Sequence, residues 1–314
     1  MIKGFTGFIK KAAIVFSVLM YCLPAISHAN NASDEKAKYQ QIIEAMQKAS
    51  IDGPYTIKLD DEAVMKLPEG YTWVPPKEAE DYMKAVGNNV ADRFFGMIYH
   101  DKIEGFVTIE YFPEGYIKDD EAKNWNADEL LDNLKEGTKE QNKERVKKGI
   151  PPFEVIGWVE KPAYNSGTHR LVWSAALKDI GTTTPEAEQG INYNTYLLGR
   201  SGYISLDLVT VRSAIEKEKP LARQLLNAVE FNATRRYEDF DPKSDHMAEY
   251  GLAALVGGIA AKKLGLLATI GIIFVKFWKI AIIALVACGA GVKQFFFGKK
   301  EQPELKEKYE EKDQ

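Results

Sequence analysis

Cysteine and histidine are scarce in this chain. Its two cysteines, Cys22 and Cys288, both fall in apolar stretches toward opposite ends, and the sequence between them has none. That absence excludes disulfides, thiolate metal sites and a cysteine nucleophile from the central region, whose stability must come from its core. The four histidines, His28, His100, His169 and His246, stand far apart. No HExxH, GxSxG or P-loop pattern occurs. Asp119-Asp120 does not open an EF-hand, because the twelfth position counted from Asp120 is Leu131 where that loop needs a bidentate glutamate. No metal or cofactor is expected. Basic charge is also short: residues 30–247 carry 28 Lys/Arg against 38 Asp/Glu, a net charge of about −10. A domain of that sign repels phosphate, so nucleic acid is excluded as a partner.

What is present is concentrated at the two ends. Residues 1–29 have Lys3, Lys10 and Lys11, an apolar run from Ala12 to Leu23, a break at Pro24, and small residues at Ser27 and Ala29. This three-part order predicts a secretory signal peptide cleaved after Ala29. Near the other end, Leu264 to Val292 is an apolar stretch of 29 residues, roughly 43 Å long as a helix. That is enough to cross a hydrocarbon core of ~30 Å with tilt. Lys276 and Lys279 interrupt it, three apart on one face, beside Trp278. Each lysine would cost about 2.5–3.5 kcal/mol at mid-bilayer. They are therefore expected at an interface, with Trp278 in the aromatic belt, or against a partner helix. Lys299 and Lys300 begin a charged tail, which the positive-inside rule places in the cytosol. Ala287 and Gly291 make a small-xxx-small pair for helix contact.

Between the ends the periodicities predict an α+β domain, mainly antiparallel sheet packed with helices, with the C-terminal transmembrane helical anchor appended. Tyr39, Ile42, Ile43 and Met46 have helical spacing, and a short helix follows Pro75-Pro76. FFGMIYH and GFVTIEYFP read as paired strands. Asn126 with Glu129 forms a capping pair for a helix whose face carries Leu130, Leu131, Leu134, Thr138, Gln141 and Arg145. Gly149 with Pro151-Pro152 ends it. Two hairpins follow, turning at NSGT and at RS, then a helix in EKEKPLARQLLNAV and a closing strand EFNA. This order of elements is similar to that of PsbP-like domains. The predicted boundaries are signal peptide 1–29, helical and extended leader 30–66, periplasmic domain 67–245, anchor 246–298 and charged tail 299–314. The domain cut at Asp241 is expected to fold alone.

Several short motifs stand out: Gly115-Tyr116 with Lys118-Asp119-Asp120, Gly157-Trp158, Thr168-His169-Arg170-Leu171 with Trp173, Asn192-Tyr193-Asn194-Thr195 with Gly199-Arg200, and YGLAALVGGIAAKKLG. On these, from about Leu67 onward, the chain resembles a bacterial family of membrane-anchored proteins, domain of unknown function 2167. The resemblance implies an exported domain with a C-terminal membrane anchor and no assigned activity.

Candidate site residues come from the same motifs. His169 is expected on one strand face with Leu171 and Trp173, as a hydrogen-bonded strand histidine or as part of a ligand groove beside Trp173. Asp119 and Asp120 precede a helix start, where turn capping competes with a role in catalysis. Asn192 and Asn194 share a strand face, with Arg200 in the turn after it. They form a polar-ligand or anion patch, or merely face solvent. Three function classes follow: an envelope binding module tethered to the bilayer, a carboxylate hydrolase using Asp119 or Asp120 with His169, and a scaffold that oligomerises through its anchor. The expected partners are the lipid bilayer and either another protein or a second copy of the chain, in the bacterial inner membrane with the main domain periplasmic.

Overall fold

A computed structural model describes residues 29–257 apart from 86, 87, 89 and 148–150. The expected signal peptide, most of the expected anchor with Lys276, Trp278 and Lys279, the Ala287–Gly291 pair and the tail lie outside the described residues. Among the described residues, no helix is long and apolar enough to cross a membrane.

The centre is an eight-stranded sheet in the order β1-β4-β5-β6-β10-β9-β8-β7, antiparallel at every pairing. Its strands are β1 (Ile51–Asp52), β4 (Tyr71–Val74), β5 (Phe94–His100), β6 (Phe106–Phe112), β7 (Phe153–Asn165), β8 (Arg170–Asp179), β9 (Gly190–Leu198) and β10 (Tyr203–Val211). A second sheet, β11-β3-β2, joins β2 (Tyr55–Leu59), β3 (Ala63–Leu67) and β11 (Val229–Phe231). It packs on one face of the large sheet together with α4 (Ile215–Asn227). Ile57, Met65, Leu225 and Val229 meet Ile109, Tyr193, Leu206 and Leu208 there.

Two apolar clusters cover the opposite face. Toward β5, α1 (Ala29–Ala49) and α2 (Pro76–Ala85) bring Tyr39, Ile43, Met46, Ala79, Tyr82 and Met83 onto Phe94, Met97 and Phe106. Toward β8, α3 (Ala127–Lys147) and the short α5 (Ala254–Gly257), with Leu252 in the turn before it, bring Leu130, Leu134 and Leu255 along with Leu252 onto Leu171, Trp173, Tyr196 and Tyr203. The α3 helix starts as its capping pair requires, with Asn126 Oδ1 accepting from the Asp128 N–H at 2.9 Å.

Three expectations change. Residues 51–66, read as leader, supply β1 to β3, and Ile57, Leu59 and Met65 sit in the core. Residues 247–257, read as the start of the anchor, pack into the domain. The β9 and β10 strands are buried at every position on both faces, because helices cover the face that carries Asn192 and Asn194. A sheet with both faces covered has no outward side for polar residues to occupy.

The long edge strand β7 is handled by local chemistry. Its ladder to β8 shifts register three times, and Lys161 and Pro162 fall within it. Such features discourage pairing with a foreign strand. Buried Asn142 on α3 receives the Phe153 N–H at 3.1 Å and donates to the Phe153 carbonyl at 2.7 Å, so both backbone groups at the strand start are satisfied.

Candidate functional site

The residues singled out at Gly115, Tyr116, Asp119, His169 and Arg200 meet at one end of the domain, where they clasp the chain from Arg236 to Gly257. Gly115 has φ +93°, and a Cβ on it would lie 2.7 Å from His246 Cδ2 and 2.9 Å from the His246 carbonyl. Only glycine admits so close a pass. The Tyr116 N–H donates to the His246 carbonyl and the Ala248 N–H donates to the Tyr116 carbonyl, both at 2.9 Å. The Leu252 N–H donates to the Lys118 carbonyl at 3.1 Å. On the other side, Arg200 Nε and Nη2 grip Asp245 Oδ2 and Oδ1 at 2.7 and 2.9 Å. Arg200 Nη1 donates to the Thr234 carbonyl at 3.2 Å. This bidentate pair, with the Asp241 N–H and the Ser244 hydroxyl also donating to Asp245, holds the Asp245 carboxyl well below the usual carboxylate range.

Rings fill the space between. Phe240 stacks on Tyr116 at 3.8 Å, Tyr116 on Tyr237 at 4.4 Å, and Tyr237 on His169 at 4.1 Å. Tyr237 is buried and its hydroxyl donates to the Ile117 carbonyl at 2.8 Å. His169 lies in the turn between β7 and β8 with φ +52°. That backbone takes it out of the alternation that predicted a place beside Leu171 and Trp173. Its Nδ1 is 3.0 Å from the Tyr164 hydroxyl, which is 2.8 Å from Asp119 Oδ2. His169 and Asp119 are themselves 3.9 Å apart. One phenolic proton serves this chain. Tyr164 donates to the carboxylate and accepts from Nδ1–H, a tautomer assigned from the network, which leaves Nε2 as an acceptor. Burial lowers the His169 pKa against the opposing pull of Asp119 and Glu238. Burial, with Asp119 adding to it, raises that of Tyr164. At neutral pH the imidazole is therefore neutral and the phenol protonated.

The family model for "Protein of unknown function (DUF2167)" matches residues 51–286. The chain belongs to this family. Among curated proteins, none matches the chain. Among solved structures, the chain is similar to the solution structure of cyanobacterial PsbP (CyanoP) from Synechocystis sp. PCC 6803. The identity is 11%, over 58% of this chain and 91% of that chain, with a TM-score of 0.33.

In this member of the family, the site residues named from sequence divide into four places. Asp119 and His169 come together around Tyr164, and Arg200 closes the same clasp through Asp245. Asp120 does not join them: its side chain is 83% exposed, in a 3-10 turn beside Lys123 at 3.6 Å. Trp173 lines no open groove. It is buried in the core, edge-on to Trp158 at 5.8 Å. Asn192 and Asn194 are wholly buried in the middle of the sheet, away from solvent. Sequence reading missed Tyr164, Tyr237 and Asp245. Tyr164 and Tyr237 looked like ordinary strand and loop aromatics, and nothing near Asp245 in the sequence points to Arg200, 45 residues away.

Proposed function

We propose that this protein is an interaction module of the bacterial cell envelope, tethered by the apolar segment beyond Gly257 and held in a set orientation to its tether by the clasp. The observation that carries the reading is the docking of residues 236–257. Arg200, Tyr116 and the His169–Tyr237 stack fasten onto the sheet the very stretch that leads into the apolar segment. Asp119, His169 and Arg200 are thereby engaged in holding chain. The order of signal-like start, domain, apolar segment and basic tail supports a periplasmic domain and a cytosolic end in the inner membrane. Reporter fusions after Gln314 test the topology, and a tail that reports as periplasmic refutes it. Crosslinking in native membranes followed by pull-down tests the module. A specific partner is expected with wild type and reduced with G115A, and its absence refutes the reading.

The meeting of Asp119 and His169 at Tyr164 favours a second reading, an envelope hydrolase. There, Nε2 of His169 would take a proton from water while Tyr164 and Asp119 orient the ring. On that reading H169A abolishes hydrolysis of isolated envelope polymer and Y164F reduces it. Equal turnover by wild type and H169A refutes it.

A further inference from the structure

The helix-bearing face of the large sheet has an apolar cluster toward each side and polar residues between them. Asn192 and Asn194 of β9 lie there, both at 0% exposure. Two residues apart on one strand, they share a face with Cα atoms about 6.4–6.8 Å apart. The residues opposite Asn192 are Ala175 on β8 and Val209 on β10, neither of which can bond an amide. Over this part of the sheet the chain passes from one helix cluster to the other. Val90 packs with the α1–α2 cluster, Ala91 packs with the α3–α5 cluster, and the Ala91 N–H donates to Glu110 at 2.9 Å.

Three polar groups of the asparagine pair have no hydrogen-bond partner among the described residues: Oδ1 and Nδ2 of Asn192, and Oδ1 of Asn194. Asn194 Nδ2 is in use, donating to the Asn192 carbonyl at 3.1 Å. Exchanging the oxygen and nitrogen of the Asn192 amide gains nothing, because both are free. Thr108 Oγ1 is a fourth such group, also at 0% exposure. Thr108 lies opposite Asp207, which lies opposite Asn194, so Thr108 is two strands away, about 9–10 Å. Asp207 itself accepts from the Ser205 hydroxyl at 3.1 Å. Roughly nine in ten buried polar groups are met by a partner, so four orphans on one enclosed face mark a held guest.

The orphan groups define that guest. A cation would leave the Asn192 amide nitrogen without an acceptor, and an anion would leave both amide oxygens without a donor. The guest is therefore neutral, and it both donates and accepts. Because every group that lines it is fully buried, it is also small. Water meets these requirements. An internal water makes about three hydrogen bonds to otherwise unmet groups, and the asparagine pair offers three. We infer that Asn192 and Asn194 hold ordered internal water, in a short string that reaches Thr108. Asn192 and Asn194 then line a wet seam between the two helix clusters, and serve neither as a solvent face nor as an anion patch. This inference does not depend on the function proposed above.

The test uses the full-length protein in detergent, deuterated at carbon, with 15N in the asparagine side chains and protonated threonine methyl groups. Magnetisation transfer from water is measured to the Asn192 amide protons and to the Thr108 methyl. Both are expected to show cross-peaks whose sign in the rotating frame is that of a long-lived neighbour and not of proton exchange. N192L and the isosteric T108V assign the two signals by their loss. Should N192L fail to fold, a high-resolution crystal structure of the wild type gives the answer without substitution. Ordered water is then expected within hydrogen-bond distance of Asn192 Nδ2 and Asn194 Oδ1. A silent Asn192 amide or Thr108 methyl overturns the inference, as does a crystal structure in which both amides are bonded to protein groups alone. Cross-peaks from carbon-bound protons foreign to protein and detergent also overturn it, and assign a small organic guest in place of water.

Discussion

Ending the chain at Asp241 should cripple the domain, although sequence alone suggested that point as a natural end. The stretch lost includes Leu252 at 0%, Val256 at 1% and Leu255 at 2% exposure, all packed in the cluster around Trp173 and Tyr196. Each such side chain contributes about 1.5–3 kcal/mol on burial. Together the three represent about 4.5–9 kcal/mol, an upper figure because the unfolded chain is already partly compact. That is comparable with the whole stability of a typical domain, about 5–15 kcal/mol. The loss also uncovers the apolar face beneath and leaves the Arg200 guanidinium without Asp245. Chains spanning 30–241 and 30–257 should be compared by urea denaturation followed by near-ultraviolet circular dichroism. The longer one is expected to unfold in one cooperative transition. The shorter one is expected to be largely unfolded, or to lose most of its midpoint. Coincident midpoints and slopes for the two would refute the assignment of residues 247–257 to the domain core.

Further outcomes follow from particular contacts. Tyr164→Phe removes the bonds to both Asp119 and His169 and should cost about 1–3 kcal/mol in denaturant titration, with proteolytic cleavage between 236 and 257 becoming faster. Asn142→Leu removes both hydrogen bonds to the Phe153 backbone and should cost about 2–4 kcal/mol by the same titration. Because burial lowers the His169 pKa, the unfolded chain binds more protons as pH falls below about 6.5. Stability should decline from there down to the lower folded value, and H169N should flatten that part of a pH-dependent melting series. Asp245 acts in a lower window. Its stabilisation is complete above about 4 and is lost as pH falls toward its depressed folded value. Release of residues 236–257 from the clasp, monitored by proteolysis, should therefore show an acid limb that D245N removes.

Local pattern was enough for much of the secondary structure. Alternation placed Leu171, Trp173, Ala175 and Leu177 on one inward face. The Asn126–Glu129 pair marked where α3 begins, and the pairing of β5 with β6 and of β9 with β10 followed from short turns between apolar runs. These are signals within a few residues of one another, carried by backbone periodicity and hydrogen-bond capping. Composition alone also settled what the domain must do without, since a region with no cysteine cannot hold itself together by disulfides.

Whether a polar strand residue faces water was not a local question. Asn192 and Asn194 have the spacing of a solvent face, and only the arrival of α1, α2, α3 and residues 247–257 on that side of the sheet buries them. His169 left its expected strand face because a single left-handed residue in the turn re-aims the side chain, a choice made by the fit against Tyr237 and Tyr164. The start of the domain was hidden for the same reason. The β3 strand gains its place by pairing with β11, which arrives more than 150 residues later, and β2 is held in turn by pairing with β3. The clasp joins Asp119 to Tyr164 and Arg200 to Asp245 across 45 residues in each case. Partners so far apart leave no spacing to read, because what brings them together is the closing of the sheet and the return of the chain across its end.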